Sequence, residues 1–333
     1  MILKIKQAVD FLLNGDLVAF PTETVYGLGA DASNENAVNK IFAVKGRPKN
    51  HPLIVHLPDI SALDFWADLS KMPPYVIDIF QTFSPGPITL ILPRNPKNVG
   101  DFITGGQNSV GIRIPNHPLA LELLKNFQQR KAHGGLAAPS ANLFGRISPT
   151  SAKHVQSELG EKIAMILDGG DCQIGIESTI LDCSNSQPQI LRPGHISAEK
   201  INGVLQKYNL TLQNTNENIP RVSGSLPGHY APKTPLKIIF STQEISKNIN
   251  QNQNQNKNIA IICFDDLPNN KNIKFFQKMP LDVNAYANLL YKTLRDADAA
   301  AVDEIYLQQI PADISWNAVA DRIQRAVNGS GKK

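Results

Sequence analysis

The chain has 333 residues, 42% of them hydrophobic and 19% charged, with a formal net charge of +4. That is enough chain for two domains, each with its own core, and too slight a charge excess for a sequence-independent nucleic-acid binder, which carries a denser basic patch. No apolar run reaches the roughly eighteen residues that a transmembrane helix needs, so no membrane partner is expected.

In chain order, residues 3–13 read as an amphipathic helix with Ile5, Val9 and Leu12 on one face and Gly15 as its stop, not as a cleaved leader. LVAF (17–20) reads as a buried strand, 35–44 as a helix, PLIVHL (52–57) as a strand and 117–126 as a helix. GLAA (135–138), AMILD (164–168), STILD (178–182) and QILRP (189–193) are further strands. Several strands follow one another directly, which implies a mixed α/β sheet. Segment 209–235 has little periodicity and is too long for an ordinary connection, so it reads as a functional linker. A second α/β pattern follows: strands at 236–240, 259–264 and 303–307, helices at 283–296 and 315–328. It is Rossmann-like in alternation but lacks GxGxxG. NINQNQNQNKN (248–258) reads as a solvated loop. Cys172, Cys183 and Cys263 are widely spaced with no CxxC, which fits a reducing, cytoplasmic setting without a zinc site or disulfide framework.

Five clusters could carry chemistry. FPTETVYGLGADA (20–32) sets Thr22, Glu23 and Thr24 just after a strand end, where α/β folds place ligands, and Gly27 and Gly29 permit close backbone approach. A strand–turn–strand with incidental hydroxyls also accounts for it. In KGRPKNHPLIVH (45–56), Lys45 and Arg47 project the same way if the segment is extended, and Pro48 and Pro52 stiffen it. Such a loop can hold a polyphosphate, or can be a solvated basic loop with His51 and His56 as ordinary hydrogen-bonding residues. SPGPITLIL (84–92) makes a fixed turn at Gly86, and in NSVGIRIPNHP (108–118) Arg113 falls on an otherwise apolar strand. Arg113 therefore needs either a bound carboxylate or an internal salt bridge. In APSANLFGRISPT (138–150), Ser140, Asn142 and Ser148 suit phosphate or ribose; a nucleophilic Ser140 lacks GxSxG and an identifiable His–Asp pair. LDGGDCQIGIESTILD (167–182) and ILRPG (190–194) add Ser178 and Arg192, the aspartate beside glycines reading as a turn.

Taken together, FPTETVYGLGADA, KGRPKNHPLIVH, SPGPITLIL, APSAN, SPT, GIESTI and LRPG occur in the order that resembles the YrdC/threonylcarbamoyl-AMP synthase family, over residues 1 to about 206. RVSGSLPGHYAP (221–232) and the region after it resemble the long, two-domain form. The resemblance implies a YrdC-like domain over 1–206, a twisted mixed sheet around a large basic cavity. A linker or lid with a GHYAP motif over 207–235 and a smaller Rossmann-like α/β domain over 236–333 would follow. It implies synthesis of threonylcarbamoyl-adenylate from L-threonine, bicarbonate and ATP, with Mg²⁺ accompanying ATP and no dedicated protein ligands. The product would pass to the tRNA threonylcarbamoyl-transferase machinery, with weak tRNA binding as a further option.

Carried over by position, the basic-polar tetrad is Lys45, Arg47, Ser140 and Asn142. Threonine would meet Thr24, His56, Arg113, the backbone of Ala138, and Ser178. ATP would meet Arg47, His51, Ser109, Ser140, Ser148, Arg192 and the linker tyrosine, Tyr230. His51 stands where many relatives have Asn, and the linker motif is shorter than theirs. Two other readings fit parts of the pattern: a non-catalytic RNA-binding module using the same basic surface, and a carbamoyl-transfer enzyme of the hydrogenase-maturation type, whose zinc-finger cysteines are missing here.

Overall fold

The computed structural model describes residues 2–213, 219–241, 244, 257–266 and 270–331. The chain divides into two compact units. The first comprises residues 1–144, 149–173 and 177–225, and the second comprises 145–148, 174–176 and 226–333.

The first unit is assembled from α1 (Ile2–Leu13), β1 (Val18–Phe20), β2 (Gly27–Asp31), α2 (Glu35–Lys45), β3 (Ile54–His56), α3 (Leu63–Trp66), α4 (Tyr75–Phe83) and β4 (Ile88–Pro93). It continues through α5 (Asp101–Thr104), β5 (Ser109–Arg113), α6 (Pro118–Arg130), β6 (Leu136–Ala137), α7 (Ala152–Leu159), β7 (Met165–Ile166), β8 (Thr179–Asp182), β9 (Gln189–Arg192) and α8 (Ala198–Leu205). Its strands form one nine-stranded sheet in the order β7-β1-β2-β6-β3-β5-β4-β8-β9. Pairing is parallel at β7–β1, β3–β5 and β4–β8 and antiparallel elsewhere, a mixed sheet.

Local chemistry sets the helix ends. The Asn34 side chain accepts from Ala37 N to start α2, Pro118 occupies the first turn of α6, and Ser151 and Ser197 cap α7 and α8. α1 buries Ile5, Ala8, Val9 and Leu12, the spacing of one helical face, in a cluster with Leu119, Ala120, Leu123, Leu124 and Phe127 of α6. Burying such aliphatic side chains contributes about 1.5–3 kcal/mol each. The larger cluster packs α2 (Val38, Ile41) and α4 (Val76, Ile79, Phe80) with strand residues Leu28, Val55, Leu90 and Ile112. α4 has a regular apolar stripe, but Pro73 and Pro74 punctuate its start, and the sequence reading passed over it.

The second unit adds β10 (Leu236–Ile239), β11 (Ile259–Cys263), β12 (Ile273–Lys278), α9 (Val283–Ala299), β13 (Glu304–Gln308) and α10 (Asn317–Gly329). Its four-stranded sheet, order β10-β13-β11-β12, is parallel throughout. The continuous apolar run of β11 fits a strand buried on both faces, while β12, at the sheet edge, alternates in exposure. β12 was missed because its Lys/Phe/Gln mixture carries a weak period. Most of the low-complexity tract 248–258 lies outside the described residues.

Leu124 is fully buried between α1 and the sheet. Leu124→Ala is expected to lower unfolding free energy by about 2–5 kcal/mol, read from urea titrations.

Candidate active site

Two groups of polar side chains lie buried in the first unit. One is laid out by sheet register. His56 on β3 is the cross-strand partner of Arg113 on β5, and Ile180 on β8 is the partner of both Thr89 on β4 and Arg192 on β9. The β4–β5 pairing of Leu90 with Ile112, continued one step, sets Thr89 opposite Arg113. Paired residues share a face, so His56, Arg113, Thr89 and Arg192 project from the same side of the sheet, as does Ser178, two residues before Ile180. Strand spacing separates the Arg113 and Arg192 backbones by about 14 Å, three strands at about 4.8 Å each.

Arg113 is buried and ion-paired: Nη2 donates to Glu23 Oε1 at 2.8 Å and to Thr24 Oγ1 at 2.9 Å. The internal salt bridge foreseen as one option for Arg113 is therefore present. Thr24 Oγ1 also lies 2.9 Å from Thr22 Oγ1, so the PTET turn is a hydroxyl network held under the arginine. Ser178 Oγ lies 2.8 Å from Thr89 Oγ1 and accepts from Arg192 Nη2 at 3.2 Å, while the Ser178 carbonyl accepts from Arg192 Nε and Nη2. His56 is buried edge-on to Phe20, with Nδ1 3.3 Å from Ile54 O. Burial, with the Arg113 charge adding to it, pushes its pKa down to about 3, so the ring is neutral at ordinary pH. The N–H of Ala138 is taken by Ile54 O at 3.0 Å.

The second group forms where α2 ends. Lys45 is the last helical residue and Gly46, at φ 63°, is the left-handed C-cap. Lys45 and Arg47 thus flank a helix terminus rather than sharing an extended segment, because Gly46 closes the helix where the sequence reading placed an open loop. Lys45 Nζ donates to the carbonyls of Ser140 and Asn142, and Phe144 N returns a bond to Lys45 O at 2.8 Å. Arg47 donates to Pro52 O at 3.0 Å and lies 5.7 Å from the Phe144 ring centre, against whose edge His51 also packs. Lys45, Arg47 and Asn142 are buried and Ser140 is half-buried. Burial, and secondarily the Arg47 charge, lower the Lys45 pKa to about 7. Burial, then Arg47 and Arg221, lower that of His51.

Residues 221–223 lie on the sheet face that carries Arg113 and Arg192. Gln107 brackets Arg221 as a strand would: its Oε1 accepts from Arg221 N at 2.7 Å and its Nε2 donates to Arg221 O at 3.0 Å. Arg192 Nη1 donates to Ser223 O at 2.9 Å, and Val222 packs on Ile91 and Ile180. A shallow cleft lies here, lined among others by Ser109, Gly111, Ile180, Arg221 and Ser223.

Ser148 and Tyr230 belong to the second unit. There Arg295 reaches the Ser148 carbonyl, and Tyr230 stacks on Tyr291 at 5.7 Å with the Arg322 guanidinium 5.2 Å from its ring centre. Gly29 makes its close approach to Phe20: a Cβ there would lie 2.9 Å from the phenyl ring, so its lack of side chain serves strand packing. Sequence reasoning missed Gln107 and Thr89 altogether and gave Glu23 no role. The demand of a buried Arg113 for a carboxylate is the signal that could have found Glu23.

The neutrality of His56 has a thermodynamic consequence. Its unfolded pKa is near 6.5 and its folded pKa is far lower, so its contribution to stability is whole above pH 6.5 and is lost as pH falls from 6.5 toward 3. The His56 ring resonances in NMR are expected to stay flat between about pH 5 and 8, where a free imidazole titrates.

Residues 10–194 match a family model described as telomere recombination, and residues 196–327 match one described as threonylcarbamoyl-AMP synthase, C-terminal domain. The threonylcarbamoyl-AMP synthase of Bacillus subtilis is 38% identical over 98% of this chain and 93% of its own length. That of Pyrococcus abyssi is 34% identical over 97% and 94%. The crystal structure of P. abyssi Sua5 complexed with L-threonine superposes with a TM-score of 0.88, covering 99% of this chain and 95% of that one. This chain belongs to the threonylcarbamoyl-AMP synthase family.

Proposed function

We propose that the chain condenses L-threonine, bicarbonate and ATP to threonylcarbamoyl-AMP and pyrophosphate, for transfer to tRNA by separate machinery. The observation that carries this reading is the burial in one unit of Lys45 and Arg47 at the end of α2 and of Arg113 and Arg192 beside hydroxyls on a single sheet face. All three reactants are anionic in the reacting form, so the main barriers are repulsion and positioning, which fixed cations and hydroxyls lower without a protein nucleophile.

Arg113 has donors beyond those given to Glu23 and Thr24, and these would take the amino-acid carboxylate. Thr24 and Ser178 would bind the threonine hydroxyl, and neutral His56 would stand beside it as a polar wall. A site that pairs this hydroxyl leaves a polar group unsatisfied when valine enters, which is the basis for rejecting it. Ala138 would contribute its carbonyl, since its N–H is already used. Lys45, Arg47, Ser140 and Asn142 would hold the phosphates, with His51, Ser109 and Arg192 of the same unit addressing the rest of the nucleotide. Mg²⁺ would arrive on the phosphates of ATP and lower their charge. Linker residues 221–223, held by Gln107, would keep water from a hydrolysable adenylate.

Among the described residues no helix is long and apolar enough to cross a membrane.

Lys45→Ala and Arg47→Ala are each expected to abolish threonine- and bicarbonate-dependent pyrophosphate release while circular dichroism shows a retained fold. Full activity in both would remove the phosphate-clamp assignment, and no release by the unaltered chain would favour the RNA-binding module. A second expectation follows from the low pKa of Lys45, about 7. A phosphate beside it raises that value, so ATP binding takes up a proton near pH 7–8 and weakens as pH rises further. Calorimetry in buffers of different ionisation enthalpy measures the uptake, and Lys45→Met should remove it.

A further inference from the structure

Glu23 is as buried as the arginine it neutralises, with side chains 4% and 6% exposed, yet the pair is not closed. Glu23 Oε1 takes the Arg113 Nη2 bond, while Glu23 Oε2 and Arg113 Nε are both buried and have no hydrogen-bond partner among the described residues. One bare acceptor and one bare donor thus sit on the two halves of a single ion pair. A purely structural salt bridge is expected to use both oxygens, because an orphaned buried carboxylate oxygen carries its desolvation cost uncompensated. Side by side, a bare carboxylate oxygen and a bare guanidinium N–H match the two ends of an α-amino-acid zwitterion. The oxygen matches the ammonium and the N–H matches the carboxylate.

We propose that Glu23 reads the α-ammonium of the amino-acid substrate and accepts its proton as the carbamate forms. This rests on the function proposed above and supplies the base which that reaction needs. Glu23 Oε2 takes one proton from the ammonium, freeing the nitrogen lone pair. The amine nitrogen then bonds to the bicarbonate carbon, and the carbon–hydroxyl bond breaks. That hydroxyl leaves as water with a second proton from nitrogen, which yields the carbamate. Glu23 returns its proton to solvent as product leaves. The groups facing this carboxylate are Arg113 on β5, His117 ahead of α6, Cys172 on the loop after β7, and His195 after β9, each of which feels its charge.

The test compares L-threonine with its deaminated analogue, 2,3-dihydroxybutanoate, which keeps the carboxylate and the side-chain hydroxyl but has no ammonium. Calorimetry on the full chain should show a preference for threonine of about 10- to 100-fold, the worth of a charge-assisted hydrogen bond in a buried site. Glu23→Gln, with melting temperature checked, should reduce that preference to within a few-fold. It should also lower kcat for pyrophosphate release by about 100- to 10,000-fold, as loss of a general base does. If Glu23→Gln fails to fold, Glu23→Asp keeps the charge on Arg113 but draws the oxygen back by one methylene. Both preference and kcat should then fall. Equal binding of the two ligands by the unaltered chain would overturn the proposal, as would a folded variant at Glu23 with undiminished preference and rate. Absence of threonine binding in the unaltered chain would instead overturn the functional reading on which it stands.

Discussion

A cation taken out of water must be paid for by bonds to its donors, and the first unit buries four: Lys45, Arg47, Arg113 and Arg192. Backbone carbonyls meet much of that cost. Lys45 is held by Ser140 and Asn142, Arg47 by Pro52, Arg192 by Ser178 and Ser223. A carbonyl satisfies a donor without cancelling its charge, so Lys45, Arg47 and Arg192 are bonded there by groups that leave their charge in place, whereas Arg113 is ion-paired to Glu23.

The placement of these groups follows from β-sheet register more than from any loop. One face of β3, β5, β4, β8 and β9 presents His56, Arg113, Thr89, Ser178 and Arg192, and a one-residue slip in any pairing would turn its polar side chain to the opposite face. The same face carries the apolar patch of Ile54, Ile91 and Ile180 on which Val222 rests. Residues two apart on one strand therefore serve the polar network and the packing of residues 221–223 at once, as Thr89 and Ile91 do on β4. Lys45 depends on a different device. The Gly46 cap stops α2 one residue past the lysine, so its side chain meets the 140–142 turn from a rigid terminus.

Much of this was legible beforehand. The amphipathic period of Ile5, Val9 and Leu12 specified α1, and the direct succession of strand patterns around 178–193 specified a mixed sheet. Short polar motifs marked the polar residues that turn out buried but not their partners, because partnership here is made across strands far apart in sequence. Arg113 and Glu23 are 90 positions apart, and Lys45 reaches residues 95 and 97 positions away. Gln107 was invisible for a related reason. Its role is to imitate a backbone strand edge for residue 221, and no composition or spacing marks a side-chain amide used in that way.

The absence of a protein nucleophile from the proposed chemistry shapes the site itself. Both bond-forming steps use nucleophiles that the substrates supply, so the protein contributes by lowering repulsion, by orientation and by shielding the adenylate from water. Serine and threonine hydroxyls serve such a site as fixed dipoles. Ser178 is tied to Thr89 and Arg192, and Thr24 to Thr22 and Arg113, so each oxygen is oriented before a ligand arrives. Preorientation of this kind costs stability, since dipoles and cations are held buried against their preference for water. The large apolar clusters behind the sheet, between α1 and α6 and around α2 and α4, offset that cost. Weakening those clusters should loosen the hydroxyl network before it disrupts the strands, because hydrogen bonds to fixed dipoles depend more steeply on distance and angle than burial does.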